Sequence, residues 1–342
     1  MAYTTINKST DYFNTVTYSG NGNNNHTITG VGFDADFVWN KLRSGTDDNR
    51  LFDKVRGINK YVESSNTTAE VTDAILSTNS DGYVLTDAGE VNSNTGTYVG
   101  WNWKANGAGS ANTDGTISST VSANTTAGFS IVSYSGSNSN STVGHGLGSA
   151  PRVIIIKRLN VADNWRVLHM SAGNDNTAHL NLTSAFSSSA VFQNTSPTST
   201  VFSLVGNNTS VNQSGSTYIA YCFAEKKGYS KFGSYVGNGS TDGAFIYTGF
   251  KPAFFMAKRS SAAGDPWVMI DNKRNSFNAL SNTLLANSAD AENTGTDRAD
   301  FISNGIKIKT TSNAWNANGS TYIYMAFGQS IVGSNNIPAT AR

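Results

Sequence analysis

Cysteine is almost missing from this chain: Cys222 stands alone in 342 residues. That excludes a disulfide framework, and an isolated thiol of this kind reads as a buried small residue. Charge is scarce as well. Only 14% of the residues are charged, well below the usual quarter. The 24 Lys plus Arg against 23 Asp plus Glu leave a net charge of +1. No basic stripe runs through the sequence, so nucleic-acid binding has no electrostatic footing. No apolar run approaches membrane-spanning length, and Met1-Ala2-Tyr3-Thr4-Thr5 shows no basic-then-apolar signal pattern. Membrane insertion is therefore not expected. Nucleophile elbows of the Gly-x-Ser-x-Gly kind, phosphate loops and HExxH are all lacking. The four histidines, His26, His145, His169 and His179, have no metal-ligand spacing. No metal or other cofactor is expected. Asn-x-Ser/Thr triplets such as Asn140-Ser141-Thr142 arise by chance in so Asn/Thr-rich a chain.

What is abundant is aromatic residues and turn formers. The 14 Tyr, 17 Phe and 6 Trp supply enough apolar surface for a folded core. The Asn, Ser, Thr and Gly content suits short β-strands joined by tight turns. The run Gly215-Ser216-Thr217-Tyr218-Ile219-Ala220-Tyr221-Cys222-Phe223-Ala224 organises the rest, because the chain repeats it. It returns as Gly319-Ser320-Thr321-Tyr322-Ile323-Tyr324-Met325-Ala326-Phe327 and, more loosely, as Gly96-Thr97-Tyr98-Val99-Gly100-Trp101-Asn102-Trp103. Both alternating faces of this strand are nearly free of charge, which predicts a central strand covered on both sides. Tyr98, Tyr218 and Tyr322 mark the equivalent positions.

Two more signatures recur in step. Tyr18-Ser19-Gly20-Asn21-Gly22, Tyr134-Ser135-Gly136-Ser137-Asn138 and Tyr235-Val236-Gly237-Asn238-Gly239 read as a strand entering a turn that needs positive φ. Phe37-Val38-Trp39-Asn40-Lys41, Val153-Ile154-Ile155-Ile156-Lys157 and Phe254-Phe255-Met256-Ala257-Lys258 are each followed by an aspartate: Asp47, Asp163 and Asp265. This is a hairpin with Lys and Asp flanking its loop. The fold class expected is all-β, three tandem β-sandwich (jelly-roll-like) domains built from a repeat of six to eight short strands. The divisions are a first repeat with an N-terminal arm over 1–106, a linker over 107–127, a second repeat over 128–231 and a third over 232–342. One short helix is expected around Ala69 to Leu76. The arm Met1 to Thr10 is expected to order only against another protein, by adding to a sheet edge.

The Lys41/Asp47, Lys157/Asp163 and Lys258/Asp265 pairs could be acid/base couples or a sugar-binding edge. A catalytic pair is seldom kept in all three copies of a repeat, so they read as weak ion pairs bracing a turn. No catalytic residue is nominated and no enzymatic activity is expected. Trp165 and Trp267 could stack on a glycan, although their alternation with apolar residues favours core packing. The first repeat has Asn49 in their place.

These residues carry a resemblance. The opening Tyr3-Thr4-Thr5-Ile6, Asp11-Tyr12-Phe13-Asn14-Thr15 and Tyr18 to Gly22 are followed by Leu51-Phe52-Asp53, Arg56-Gly57 and Tyr98 to Lys104. With Gly146-Leu147-Gly148-Ser149-Ala150-Pro151, Asp163-Asn164-Trp165 and Val332 to Arg342, they resemble a family of virion structural and tail-fibre-like proteins of marine tailed bacteriophages. The resemblance implies a location on the exterior of the phage particle, at tail or capsid, with other virion proteins as partners. It implies a tail-fibre or receptor-binding component that mediates host adsorption, a host-surface glycan as possible ligand, and a trimeric homo-oligomer. Capsid or tail decoration is the alternative, and a polysaccharide depolymerase a more distant one. The sequence departs from a long-fibre pattern in having no coiled-coil or collagen-like stalk.

Overall fold

The computed structural model describes residues 4–330. Strands dominate, and all are antiparallel pairs within three large and three small sheets. Each large sheet is built around one copy of the repeated strand. Thr97–Trp103 lies between Phe13–Ser19 and Phe37–Leu42. Thr217–Phe223 lies between Phe129–Ser135 and Val153–Arg158. Thr321–Gly328 lies between Ser230–Val236 and Pro252–Arg259. Beyond the third strand each sheet continues through the expected hairpin, into Arg50–Asp53, Arg166–His169 or Val268–Asp271. A small sheet backs each large one: His26–Ile28 with Gly82–Leu85 and Ile75–Asn79, Ser141–Gly144 with Val201–Leu204, and Phe245–Tyr247 with Gly305–Ile308 and Ala299–Ile302. Each large sheet with its small partner is called a unit below.

The strand alternation decides where the cores lie. Ile219, Tyr221 and Phe223 point to one side; Tyr218, Ala220 and Cys222 point to the other. The second set packs within its own unit against Val143, Phe202 and Leu204 of the small sheet. The first set enters a core that all three units share. Val99, Trp101 and Trp103 meet Ile219, Tyr221 and Phe223 there, together with Ile323, Met325 and Phe327. Trp103 lies within 6.3 Å of Phe223 and 5.5 Å of Phe327, ring centre to ring centre. One face of each large sheet thus belongs to a sandwich and the other to a common centre, so neither can carry charge.

Each repeated tyrosine closes the turn before its strand. Tyr98 is stacked on Tyr18, Tyr218 on Tyr134 and Tyr322 on Tyr235, with centroids 5.1, 5.2 and 4.8 Å apart. Its hydroxyl donates to the carbonyl nine residues earlier, in Gly89, Thr209 or Asn313, and accepts the N–H of Ser93, Gln213 or Ala317. A buried asparagine explains the Asn-rich turn. Asn92, Asn212 and Asn316 each accept a backbone N–H from the tyrosine–glycine signature, at Asn21, Ser137 and Asn238, and donate to carbonyls of their own unit. The first glycine of that signature is required by a close approach rather than by positive φ. A Cβ on Gly20, Gly136 or Gly237 would stand 2.2–2.4 Å from a backbone oxygen. Positive φ falls two residues later, on Gly22, Asn138 and Gly239.

Three expectations need correction. The stretch 107–127 is not a plain linker: Ser110–Asn112 and Ser119–Asn124 are strands that extend the second large sheet beyond Phe129–Ser135. The region of Ala69 to Leu76 is not helical. It contributes Val71–Thr72 and the start of Ile75–Asn79, because Val71 and Ile75 are recruited by neighbouring strands and local propensity yields to that pairing. The N-terminal arm needs no second protein from residue 4 onward. Ile6 is buried in the common core, and Ser9 and Thr10 bond to Gln329 and Ser330. Met1 to Tyr3 and the closing segment from Val332 lie outside the described residues.

Candidate functional site

The lysines and tryptophans singled out by the sequence converge on the three joints between units, whereas Tyr98, Tyr218 and Tyr322 serve turns within their own units. Lys41, Lys157 and Lys258 are wholly buried. None contacts the carboxylate six or seven residues on. Lys41 Nζ donates to the carbonyls of Asp47 (2.6 Å) and Ala289 (2.9 Å), and Lys157 Nζ to those of Asp163 (2.8 Å) and Thr67 (2.9 Å). Lys258 Nζ donates to Arg259 (2.9 Å) and Thr183 (3.3 Å). The Asp47, Asp163 and Asp265 carboxylates pair instead with Arg50, Arg158 and Arg259, at 3.0, 3.8 and 3.2 Å. The expected Lys–Asp ion pair is thus replaced by a lysine reaching into the next unit. The first unit grips the third, the second grips the first, and the third grips the second. Burial lowers each ammonium to about 8, partly opposed by the nearby aspartate, which still leaves it charged at neutral pH.

Trp165 and Trp267 belong to the same joints and cannot be a glycan platform. They are 0% and 1% exposed, and their indole N–H groups donate to the carbonyls of Glu63 (2.8 Å) and His179 (3.0 Å) in the neighbouring unit. Asn49 does the same work in the first unit, donating to Leu285 (2.9 Å). Glu63, His179 and Leu285 each precede by four residues the carbonyl that the joint's lysine grips.

A third set of inter-unit contacts sits deeper, and sequence reasoning missed its arginines. Asp53 accepts from Arg56 and from the Tyr221 hydroxyl of the second unit (2.9 Å). Asp271 accepts from Arg274 (2.6 Å) and from the Trp101 indole of the first unit (3.0 Å). Burial would raise the Asp271 carboxyl, but the Arg274 charge and N–H groups and the Trp101 indole more than reverse this and hold it below the ordinary range. The third unit offers Met325 at the place of Tyr221 and Trp101, with no donor. There the partner is His169, whose Nε2 lies 3.0 Å from the Tyr324 carbonyl. The spacing Asp53-x-x-Arg56 and Asp271-x-x-Arg274 was the available signal.

These groups are therefore structural, spent on holding the body together. Among the described residues no group of three or more His, Cys, Asp and Glu side chains could hold a metal ion, and no helix is long and apolar enough to cross a membrane. The centre holds an apolar void of about 10 Å³, too small for a ligand. A match to the family model described as "Domain of unknown function (DUF7483)" spans residues 8–330. The chain belongs to the DUF7483 family. No curated protein and no solved structure matches it. The span matched by the DUF7483 model begins beside the short 3-10 turn Ser9–Asp11 and ends at Ser330, where Ser9 and Thr10 bond to Gln329 and Ser330.

With the joints assigned to structure, the outer surface is where binding groups remain. Phe245 and Tyr247 project outward from the third small sheet, 48% and 60% exposed, on either side of the inward Ile246. Before the corresponding inward residues, Ile28 and Val143, the other small sheets carry Thr27 and Thr142. Two open cavities also lie at the surface. One, of about 480 Å³, is between the second and third units beside Arg152, Glu225 and Lys231. The other, of about 290 Å³, is inside the third unit beside Trp315 and Arg298.

Proposed function

We propose that this chain is a non-catalytic component of a tailed-phage particle, a tail-fibre or receptor-binding subunit that holds a host-surface glycan. The observation that carries the binding role is the exposed aromatic pair Phe245 and Tyr247. Two rings on one strand face, beside the polar Lys307 and Asp300 of the adjoining strands, offer apolar area with hydrogen-bonding edges, the mixture that suits a sugar face. The virion assignment rests on the sequence resemblance. Consumption of Lys41, Lys157, Lys258 and their aspartates in the joints supports the absence of catalysis. The test is binding of fluorescently labelled protein to host cells and to a glycan array. A Phe245→Ala/Tyr247→Ala variant should fold normally and lose adsorption; wild-type adsorption by that variant would refute the aromatic site.

Decoration of the capsid or tail is the second reading, and open sheet edges favour it. Among the described residues Phe13–Ser19 and Ser230–Val236 each pair with a strand on one side only, whereas Phe129–Ser135 is flanked on both. An unpaired edge is a ready docking line for another protein's strand. A copy number of hundreds per particle would select decoration; a few dozen at the tail would select the fibre. The same proposal takes the three units as copies of one sandwich, supported by the matching tyrosine, asparagine and lysine contacts. An experimental structure in which the strands around Tyr98, Tyr218 and Tyr322 fail to superpose would undo it.

A further inference from the structure

The pocket of about 290 Å³ in the third unit is framed by three parts of the chain. Val268 and Leu285, on the paired strands Val268–Asp271 and Leu284–Leu285, and the edge of Trp315 form an apolar floor. Thr283 and Asn293 stand together on the wall, locked by two backbone hydrogen bonds of 2.9 and 3.0 Å. Arg298, half-buried and immediately before the strand Ala299–Ile302, completes it. The size is at the small end of ligand pockets, and an apolar surface with a few fixed polar groups is their usual lining.

Arg298 is the telling residue. The guanidinium groups at the joints have carboxylates, as in Arg56–Asp53 and Arg274–Asp271. Arg298 has no carboxylate within ion-pair distance among the described residues. Its Nη2 donates to Asn293 Oδ1 at a long 3.3 Å. Its Nε is buried without a partner, and so is the hydroxyl of Thr283, itself 5% exposed. Burial lowers the Arg298 pKa and no neighbouring charge offsets it. An unmet Nε is shared by Arg50, Arg158, Arg166 and Arg259; what marks Arg298 is a partly desolvated cation without a carboxylate, lining an open pocket beside an unmet hydroxyl.

From this geometry we infer that the pocket binds a carboxylate-bearing sugar. The ligand carboxylate pairs with the Arg298 guanidinium, which is shaped for two-pronged recognition of that group. Ring hydroxyls meet the exposed Asn293 amide, and the C–H face of the ring rests on Val268 and Leu285. The exposed Asp290 stands at the rim and disfavours an anion there. Asp290 also favours the buried Lys41 ammonium at the neighbouring joint, so its removal is a test of sign read beside urea unfolding of the same variant. The inference is independent of the virion assignment and of the Phe245/Tyr247 face.

The experiment is calorimetric or ligand-observed NMR titration of the full chain with galacturonate, glucuronate and N-acetylneuraminate, with galactose and acetate as controls. At least one acidic sugar should bind, with galactose and acetate weaker by about tenfold or more, since a charge-assisted pair is lost in one and the ring contacts in the other. Arg298→Ala should weaken it by about tenfold or more, with Arg298→Lys in between. Asp290→Asn should tighten it about two- to fivefold, the scale of an exposed charge interaction. Absence of binding by all three acidic sugars would overturn the inference. So would equal binding of galactose or acetate, or Arg298→Ala and Asp290→Asn variants that are folded and bind like the wild type.

Discussion

His169 makes the joint between the second and third units sensitive to acid. The imidazole is 1% exposed, Nδ1 accepts the Ser171 N–H at 3.2 Å, and Nε2 faces the Tyr324 carbonyl at 3.0 Å. Because a backbone N–H occupies Nδ1, the single proton sits on Nε2 and is donated across the joint. A second proton would have to enter against that N–H and be buried as charge. Burial accordingly lowers the His169 pKa from 6.5 to about 4. Between these values the unfolded chain binds a proton that the native state refuses, so stability falls as pH drops from 6.5 towards 4 and levels off below. At about 1.4 kcal/mol per pH unit the total is about 3 kcal/mol. His145 and His179 are also lowered by burial and act with the same sign, so the wild type alone cannot isolate the effect. The comparison is with His169→Gln, whose amide can still donate towards Tyr324 but does not titrate. Urea unfolding of both proteins at pH 7, 6, 5 and 4 should show the variant less stable at pH 7 and the gap closing or reversing by about 3 kcal/mol at pH 4. A gap that stays constant across that range would refute the reasoning.

Lys157→Met should lower stability by about 2–4 kcal/mol in urea unfolding, because the buried Thr67 and Asp163 carbonyls lose their donor while the methionine recovers only the cost of burying the ammonium; an unchanged midpoint would show that the joint is not held this way. Asp271→Asn should cost about 3 kcal/mol or more by the same measurement, since the sealed Arg274 charge loses its closest carboxylate and keeps only Glu292. Ile219→Ala and Ile323→Ala should each cost about 2–5 kcal/mol as truncations in the common core, and values below 1 kcal/mol would contradict the shared centre. Incubation with host polysaccharide should release no reducing ends; release that disappears in Asp163→Asn would restore the depolymerase reading.

Much of the architecture was legible in the repeated strand. Its charge-free alternation announced a central strand covered on both sides, and the spacing from Lys41, Lys157 and Lys258 to the aspartates announced the hairpins. Local physics accounts for this: strand periodicity and turn chemistry act over a few residues. What the sequence could not tell was what covers the second side. Separate tandem sandwiches and a single body with a common centre demand the same apolar pattern of Ile219, Tyr221 and Phe223, and only packing separates them. The lysines show the same limit. An aspartate six residues away suggests a local ion pair, but Lys157 is completed by Thr67, 90 residues distant, and no spacing rule reaches that far. Trp165 and Trp267 were ambiguous for the same reason, since an indole alternating with apolar residues suits a core or a ligand platform until its neighbours are known. The strands, their turns and the covered faces were fixed by the chain's local pattern. The closing of three units around one core, and with it which polar groups are spent and which, like Arg298, are left over, was decided by tertiary contacts alone.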